Sequence, residues 1–318
     1  MFLVTGATGF IGKHLVERLS ASGAPVRALV RRVDREWPCP TARCDLATGQ
    51  GLDEALEGID RVIHLAGATK ALAPEGYYAA NVRGAANLAR ALEGRPVRLV
   101  HVSSLAAVGP SPDGAPLDED APLHPISHYG KSKAEGERVV RRLKPDAVVV
   151  RPPVVYGPGD TDVYQVLKSI SRGWFFQIGG GERWFSAVYV HDLVDGLIRA
   201  ACAGTPAAGR TYFMSHPETN SWTSLASAAA RIMGVKTRPI HVPLPAAYAV
   251  GYCGEIWSHM ARRAGIVSRD KIAEARYPHW VCDSRRAAAE LGWNAATPIG
   301  AGLASTLAWY KEMGWIRY

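Results

Sequence analysis

The sequence predicts an α/β fold, with a doubly wound parallel sheet followed by a smaller, mostly helical C-terminal region. The first observation is a strand at residues 2–4 that leads through a turn into a helix at residues 10–19, whose apolar residues recur at helical spacing. The second is the turn itself, which carries Gly6, Gly9 and Gly12. A strand, a glycine turn and a helix in this order are typical of the first unit of a parallel α/β sheet.

The spacing of these glycines suits a turn in which a dinucleotide pyrophosphate lies against backbone N–H groups. A side chain at Gly6 or Gly9 would hold the phosphates away, and Gly12 lets the helix pack closely on the strand. The alternative is a glycine-rich turn that binds no ligand. The position of the triplet between a strand and a helix favours the dinucleotide site.

Further apolar runs continue the predicted sheet, and most are separated by helical segments. A helix is predicted at residues 74–92, a second one carries Tyr129, and a loop rich in proline, aspartate and glycine spans residues 109–125. Long loops at the carboxyl edge of such a sheet border the ligand. The predicted strands are 25–30, 61–67, 97–102, 146–151, 186–190 and 210–214.

Composition sets broad limits. The 318 residues are 47% hydrophobic and 21% charged, which is typical of a globular chain of one extended domain or two closely joined ones. The net charge of +8 comes from scattered arginines without interleaved aromatics, so nucleic-acid binding is disfavoured. The five cysteines form no C-x-x-C pair, no signal-peptide pattern is seen, and the apolar run 243–253 is too short to span a membrane. We therefore expect a reduced, cytoplasmic protein.

The second predicted strand ends at Arg31 and Arg32. In this architecture that end faces the adenosine ribose, where an acidic residue accepts from the 2′-hydroxyl of NAD and an arginine pairs with the 2′-phosphate of NADP. The two arginines favour NADP as the cofactor. Asp34 lies close enough in sequence to leave NAD open.

Three motifs, in order, resemble one family. Residues 5–12, Thr-Gly-Ala-Thr-Gly-Phe-Ile-Gly, are similar to the cofactor fingerprint of the extended short-chain dehydrogenase/reductases, which include the NAD-dependent epimerase/dehydratases. Residues 129–133, Tyr-Gly-Lys-Ser-Lys, resemble the Tyr-x-x-x-Lys active site, and residues 151–160 resemble the segment leading into the substrate domain. The resemblance implies a Rossmann-type nucleotide domain and a homodimer.

The resemblance also implies cofactor contacts. In reductases of the dihydroflavonol-reductase type, an arginine at the position of Arg31 contacts the extra phosphate, and the family places an aspartate such as Asp45 beside the adenine. Asp45 is equally suited to capping a short turn. Asn81, in a stretch similar to Asn-Val-x-Gly, braces the sheet or the cofactor ribose. The full predicted cofactor set is Gly6, Thr8, Gly9, Phe10, Ile11, Gly12, Arg31, Arg32, Asp45, Leu46, Leu65, Ala66, Gly67, Asn81, Val102, Ser103, Tyr129, Lys133, Pro152, Pro153, Val154 and Val155.

The predicted catalytic residues are Ser104, Tyr129 and Lys133. Tyr129 and Lys133 lie four residues apart and therefore on one face of a helix, where an ammonium would lower the pKa of the phenol for proton transfer. Lys133 also binds the nicotinamide ribose in the family. Strand alternation prevents Ser103 and Ser104 from pointing the same way, and the family spacing selects Ser104 to orient the substrate oxygen. His64, on the strand before, is expected to be a core histidine.

The predicted substrate class rests on positions where this chain differs from the sugar-nucleotide enzymes of the family. Sugar-nucleotide enzymes typically carry an asparagine where this chain has Val154, and the segment is closer to the 3β-hydroxysteroid dehydrogenase and dihydroflavonol-reductase branches. Arg183 lies where sugar-nucleotide enzymes often hold the diphosphate, which favours the alternative, whereas a role as a surface or interdomain residue is preferred for it here. The apolar stretch 243–257, with Met260, would form one wall of an apolar pocket or pack against a helix or subunit.

The leading hypothesis is an NAD(P)-dependent oxidoreductase that interconverts a secondary alcohol and a ketone on an apolar, ring-containing small molecule. The alternative is an NAD-dependent sugar-nucleotide epimerase or dehydratase. A non-enzymatic cofactor sensor is disfavoured because such relatives tend to lack the tyrosine and lysine, and no metal-ligand or G-x-S-x-G motif is found. We expect a dinucleotide-binding domain at 1–156, with returning segments at about 186–214, and a substrate-binding domain at 157–185 and 215–318.

Overall fold

The computed structural model describes residues 1–33, 35–262, 265 and 268–318. Its strands are β1 (Phe2–Thr5), β2 (Val26–Val30), β3 (Thr41–Arg43), β4 (Arg61–His64), β5 (Arg98–Val102), β6 (Val148–Arg151), β7 (Val154–Tyr156), β8 (Trp174–Ile178), β9 (Trp184–Phe185), β10 (Ala187–Tyr189), β11 (Thr211–Phe213), β12 (Asn220–Ser221), β13 (Arg238–Val242) and β14 (His279–Trp280).

The α-helices alternate with these strands. They are α1 (Phe10–Ala21), α2 (Leu52–Ala55), α3 (Pro74–Tyr78), α4 (Gly84–Ala91), α5 (His128–Leu143), α6 (Val163–Ser171), α7 (Val190–Cys202), α8 (Trp222–Met233), α9 (Leu244–Met260), α10 (Arg269–Ala275), α11 (Arg285–Leu291) and α12 (Ile299–Glu312). A π-helical segment, Ala79–Arg83, joins α3 to α4, so the helix predicted at 74–92 is continuous but wider in its middle. The predicted loop 109–125 holds no helix or strand.

The central sheet has seven strands in the described chain, in the order β11-β6-β5-β4-β1-β2-β3, and its neighbouring strands are parallel. The chain moves outward from β1 to β3, then returns to the other side of β1 and continues through β4 to β11. The strand order therefore reverses between β1 and β4. In open parallel sheets a ligand binds at the carboxyl ends of the strands at such a reversal. The predicted fold class is confirmed.

Helices cover both faces of this sheet. Side chains alternate along β1, so Val4 packs with α1 and α7 on one face, while Leu3 packs with α4 on the other. The first face contains Leu15 of α1 and Leu193 of α7, all completely buried. These two layers hold the carboxyl ends of the strands in fixed positions.

A separate hydrophobic cluster lies beyond the sheet. It joins α6, α8 and α12 and includes Leu167, Leu225 and Leu303. Residues Ala287 and Trp293, although late in the chain, pack instead in the core of the central sheet, beside α7. The domain division given above stays a prediction. In the part of the chain that the structure describes, no helix is both long and apolar enough to cross a bilayer.

Candidate active site

The glycine turn follows β1 directly. Gly6 has a φ of +68°, and a Cβ there would lie 2.6 Å from the backbone nitrogen of Ala66. A Cβ on Gly12 would lie 2.2 Å from the Gly6 carbonyl oxygen. Gly6 therefore needs both a left-handed backbone and a close approach to the segment after β4. Gly12 lets α1 pack on the turn.

The N-terminus of α1 is suited to an anion. Gly9 is its N-cap, and in the described chain no side chain caps this helix and no acidic residue lies in its first turn. Thr8 and Gly9 are exposed. Backbone N–H groups of the first turn have no partner within a helix and carry its positive dipole end, so they fit a dinucleotide pyrophosphate.

The predicted adenosine side is formed by the ends of β2 and β3. Arg31 and Arg32 are exposed directly after β2, and Asp34 lies outside the described residues. The Asp45 carboxylate accepts from the Ala47 backbone nitrogen at 2.9 Å, which is the turn-capping role considered as its alternative. The carbonyl of Leu46 accepts from Asn87 at 2.8 Å. The cofactor contacts of these residues stay predictions.

Asn81 joins the segment after β4 to α5. Its amide oxygen accepts from the Ala68 nitrogen at 2.8 Å, and its amide nitrogen donates to the Ala68 carbonyl at 3.0 Å and to the Ser132 hydroxyl at 2.8 Å. A Cβ on Gly67 would lie 2.6 Å from the Asn81 amide oxygen. Asn81 therefore braces the loop that also contains Leu65 and Ala66. It lies in the π-helical segment, a feature that the sequence pattern did not predict.

Tyr129 and Lys133 lie in the first two turns of α5, as predicted. The Lys133 side chain is buried, and its Nζ donates to the carbonyl of Val102 at the end of β5 at 2.7 Å. The Ser104 hydroxyl accepts from the Ala106 nitrogen at 3.1 Å and begins a short 3₁₀ turn, Leu105–Ala107. Ser104 also lies near enough to the Tyr129 side chain to lower the pKa of its phenol. The structure thus brings the three predicted catalytic residues together.

Ser103 differs from its neighbour. Its backbone nitrogen donates to the Val150 carbonyl at 2.7 Å, and its buried hydroxyl has no partner among the described residues. The segment with Pro152, Pro153, Val154 and Val155 passes beside the serine turn, where the Leu105 nitrogen donates to the Pro152 carbonyl at 2.9 Å. The segment then continues as β7, paired with β10.

The structure places the Lys133 ammonium at the end of β5, where it is bonded to the Val102 carbonyl. Burial raises the pKa of Tyr129, and Ser104 and Lys271 oppose this increase. Burial also lowers the pKa of Lys133 itself, to about 8, against the favourable charge of Glu137. The proposal that Lys133 lowers the phenol pKa stays a prediction.

A pair of buried histidines lies beneath this site. His64 and His101 stack with ring centroids 5.3 Å apart, and the His64 Nδ1 is 2.7 Å from the Thr5 hydroxyl. Burial, with a smaller contribution from Lys133, lowers the pKa of His64 to about 3. His64 is thus a neutral core histidine, although its Nε2 has no partner within the described residues.

The contact between α10 and the start of α5 was not predicted from the sequence. The Asp270 carboxylate accepts from the backbone nitrogens of His128 and Tyr129 at 2.8 and 3.3 Å. The Glu274 carboxylate accepts from the Ser127 hydroxyl at 2.6 Å, and the Lys271 Nζ lies 5.6 Å from the centroid of the Tyr129 ring. The local sequence is that of an ordinary capped helix, so no signal in it indicated this contact.

The Arg183 side chain is hydrogen-bonded to backbone carbonyls. Its guanidinium donates to Ala275 at 2.8 Å and to Gly180 and Gly181 at 3.2 and 3.3 Å. It therefore ties the glycine loop to the end of α10. Its predicted contact with substrate stays a prediction.

The apolar wall expected at 243–257 and Met260 is helix α9. Its small residues are buried, whereas Tyr252, Trp257 and Met260 are 54%, 71% and 73% exposed. On its inner side, Ser258 lines a small cavity that also includes Tyr77 and Lys271. A different surface cavity, beside Asp60 and Arg98, lies at the amino ends of the strands and is not part of this site.

This sheet, glycine turn and Tyr-x-x-x-Lys helix define an NAD(P)-dependent dehydrogenase/reductase of the extended short-chain type. The chain belongs to the NAD-dependent epimerase/dehydratase family, whose model matches residues 2–212. It is 31% identical to the ceramide reductase of Caulobacter vibrioides, over 98% of this chain and 95% of the relative. It is 30% identical to the N-acetyl-alpha-D-glucosaminyl-diphospho-ditrans,octacis-undecaprenol 4-epimerase of Escherichia coli O157:H7, over 85% and 83%. The solved structure of MoeE5 with UDP-glucose and NAD is similar, with a TM-score of 0.79, 25% identity and coverage of 98% and 99%.

Proposed function

We propose that this protein is an NADP-dependent oxidoreductase that interconverts a ketone and a secondary alcohol on an apolar substrate. The observation that carries the proposal is the convergence of Ser104, Tyr129 and Lys133 at the carboxyl edge of the sheet, beside the glycine turn. The exposed Arg31 and Arg32 after β2 support NADP over NAD, because arginine pairs with a 2′-phosphate.

The chain's own residues supply the proton transfer. The bound nicotinamide would supply hydride to the carbonyl carbon in the reductive direction. Tyr129 donates its phenolic proton to the carbonyl oxygen, becomes a phenolate and regains a proton from solvent. The Ala106 nitrogen already donates to the Ser104 oxygen, so the Ser104 hydroxyl hydrogen is available for the substrate oxygen. Lys133 would bind the nicotinamide ribose from the same helix face.

Three features support an apolar substrate. Val154 replaces the asparagine typical of sugar-nucleotide enzymes, and the Arg183 guanidinium is bonded to three backbone carbonyls. The ceramide reductase relative is named for a lipid. We therefore extend the predicted ring-containing substrates to ketones with long alkyl chains.

The second candidate is an epimerase. The undecaprenol-linked relative and the UDP-glucose complex of MoeE5 favour it. An epimerase of this family would act on a sugar diphosphate and would consume no net cofactor. The proposal also includes a cytoplasmic homodimer, which rests on the family resemblance, and the five cysteines are free thiols in agreement with a reducing compartment.

The test is an NADPH-oxidation assay with a long-chain 3-oxo lipid in detergent micelles and with a steroid ketone. Tyr129→Phe should lower turnover about 10²- to 10⁴-fold, the usual contribution of a general acid, while NADPH affinity stays the same. Tyr318→Phe is the matched control, because this tyrosine is at the C-terminal end of the chain and 37% exposed. Undiminished turnover in Tyr129→Phe would refute the proposal. Conversion of UDP-sugars or polyprenyl-diphospho-sugars without net NADPH oxidation would establish the epimerase.

A further inference from the structure

A second lysine lies at the Tyr129 ring. The Nζ of Lys271 is 5.6 Å from the ring centroid and comes from α10, not from the motif helix. The motif lysine, Lys133, directs its ammonium to the carbonyl of Val102 at 2.7 Å. The family motif therefore supplies one cation near the nicotinamide side, and the C-terminal region supplies another at the phenol.

Lys271 is held in place by contacts between α10 and the start of α5. Its Nζ lies 3.4 Å from the Glu274 carboxylate, whose other oxygen accepts from the Ser127 hydroxyl at 2.6 Å. Ser127 is the N-cap of α5 and accepts from the Gly130 nitrogen at 2.9 Å. Asp270, adjacent to Lys271, accepts from the backbone nitrogen of Tyr129. The position of the ammonium is thus coupled to the helix end that carries the phenol.

We propose that Lys271 is a positioning residue that stabilises the phenolate form of Tyr129, so that the acid–base group is completed by α10. This inference rests on the proposed function, in which Tyr129 becomes a phenolate after each proton transfer to the substrate. It assigns to the C-terminal region a role in the proton transfer as well as in holding the substrate.

Some of the other groups around Tyr129 raise its pKa and others lower it. From α10, Glu274 is the acidic partner of Lys271, and Asp162, before α6, adds a second negative charge while paired with Lys70. Tyr77 of α3 contributes a ring 6.2 Å away, and Ser104 contributes its hydroxyl. Asp270 of α10 accepts from the backbone nitrogen of Tyr129, and on the helix of Tyr129 itself Lys133 is bonded to the Val102 carbonyl.

The net direction of these effects gives opposite expectations for two variants. Burial raises the pKa of Tyr129, the Ser104 hydrogen bond and Lys271 lower it, and Glu274 and Asp162 raise it. Removal of Lys271 should therefore move phenolate formation to higher pH, and neutralisation of Glu274 should move it to lower pH. A single charge within about 4–6 Å changes a pKa by about one or more in this way.

The experiment measures phenolate formation by near-UV absorbance on the full-length protein saturated with NADP⁺. Each variant is compared with the same variant carrying Tyr129→Phe, so that only Tyr129 contributes to the difference. Lys271→Met should shift the midpoint up by about one pH unit, Glu274→Gln should shift it down, and Lys271→Arg should restore the wild-type midpoint. Gln at 274 can still accept from Ser127, so this variant keeps the helix contact.

Lys168→Met is the matched control, because the Lys168 Nζ lies 5.3 Å from the ring centroid of a different tyrosine, Tyr164. It should leave the Tyr129 midpoint unchanged. Unchanged midpoints in both Lys271→Met and Glu274→Gln, or shifts in the same direction, would overturn the inference. If Tyr129→Phe retains turnover, the proposed function fails instead. If it loses turnover while the midpoints do not move, only the role of Lys271 fails.

Discussion

The candidate active site has two sides that are held in different ways. On the sheet side, α5 is held by buried contacts, as in the Arg151–Glu137 ion pair, whose side chains are 5% and 1% exposed. On the α10 side, the contacts to the same helix are made by charged groups near the surface, and the Lys271 side chain is 36% exposed. Buried, paired contacts cost more to break than exposed ones.

This difference separates two tasks. The sheet side fixes where the phenol and Lys133 stand relative to the glycine turn, which a cofactor requires before any substrate binds. The α10 side adds its charges through more exposed contacts, which we expect to open more easily. We therefore expect a substrate to enter between α10 and α5 without disturbing the nucleotide site.

The largest expected effect is on the sheet side. Glu137 and Arg151 form two hydrogen bonds, at 3.0 and 2.7 Å, and connect α5 to the end of β6. Glu137→Gln leaves a buried guanidinium without its counter-charge, so we expect a loss of about 3–5 kcal/mol in the free energy of unfolding, measured by urea titration.

The matched control is Glu135→Gln on the same helix. Glu135 pairs with Arg138 at 3.0 Å, but both side chains are exposed, so this variant should lose less than about 1 kcal/mol. A loss of similar size in the two variants would show that the sheet side is not the more firmly held one.

The parts of the fold that the sequence predicted depend on local rules. Gly6 and Gly12 are needed by the backbone of one turn, and the alternation of apolar residues along β1 determines both faces of the sheet. Tyr129 and Lys133 were predicted from their resemblance to the Tyr-x-x-x-Lys motif, whose spacing of four residues places both on one face of a helix. Each of these features lies within a short stretch of chain, so its pattern is visible in the sequence.

The α10 contacts follow no local rule. Asp270 meets His128 across 142 positions, and neither residue belongs to a periodic pattern. The same holds for Trp293, which packs in the core of the central sheet although it lies near the opposite end of the chain from β1. The position of the Lys133 ammonium was missed for a related reason, because the carbonyl that binds it lies on a different strand, β5. Such contacts are fixed by tertiary packing, which local periodicity does not encode.

The second prediction concerns a buried carboxyl outside the sheet. Asp160 accepts from the nitrogens of Asp162 and Val163 at 2.9 and 2.8 Å, and burial raises its pKa from 3.8 to about 6. Because the folded-state pKa lies above the unfolded value, the protonated carboxyl stabilises the folded protein below about pH 4. This stability is lost as the pH rises through 6. The difference between the two pKa values corresponds to about 3 kcal/mol in the free energy of unfolding.

Asp160→Asn removes this titration. Relative to the wild type, the variant should therefore gain about 3 kcal/mol in unfolding free energy between pH 4 and pH 7, followed by urea titration at each pH. Asp118→Asn, at an exposed loop position, should follow the wild type. A stability difference between Asp160→Asn and wild type that does not change with pH would contradict the assignment.

The smallest expected effect is on α10 itself. Asp270 places a carboxylate at the N-terminus of α5, where it accepts from two backbone nitrogens, and such a cap contributes about 1 kcal/mol. Asp270→Ala should therefore leave the global stability almost unchanged and increase hydrogen exchange of the α10 amides about fivefold, since these contacts open locally. Asp53→Ala removes a surface ion pair with Arg95 and should leave α10 exchange as it is. Because Ser127 still caps α5, exchange within that helix should also stay low. If α5 and α10 instead open together in Asp270→Ala, the two sides form one cooperative unit, and the substrate must enter by a route other than their separation.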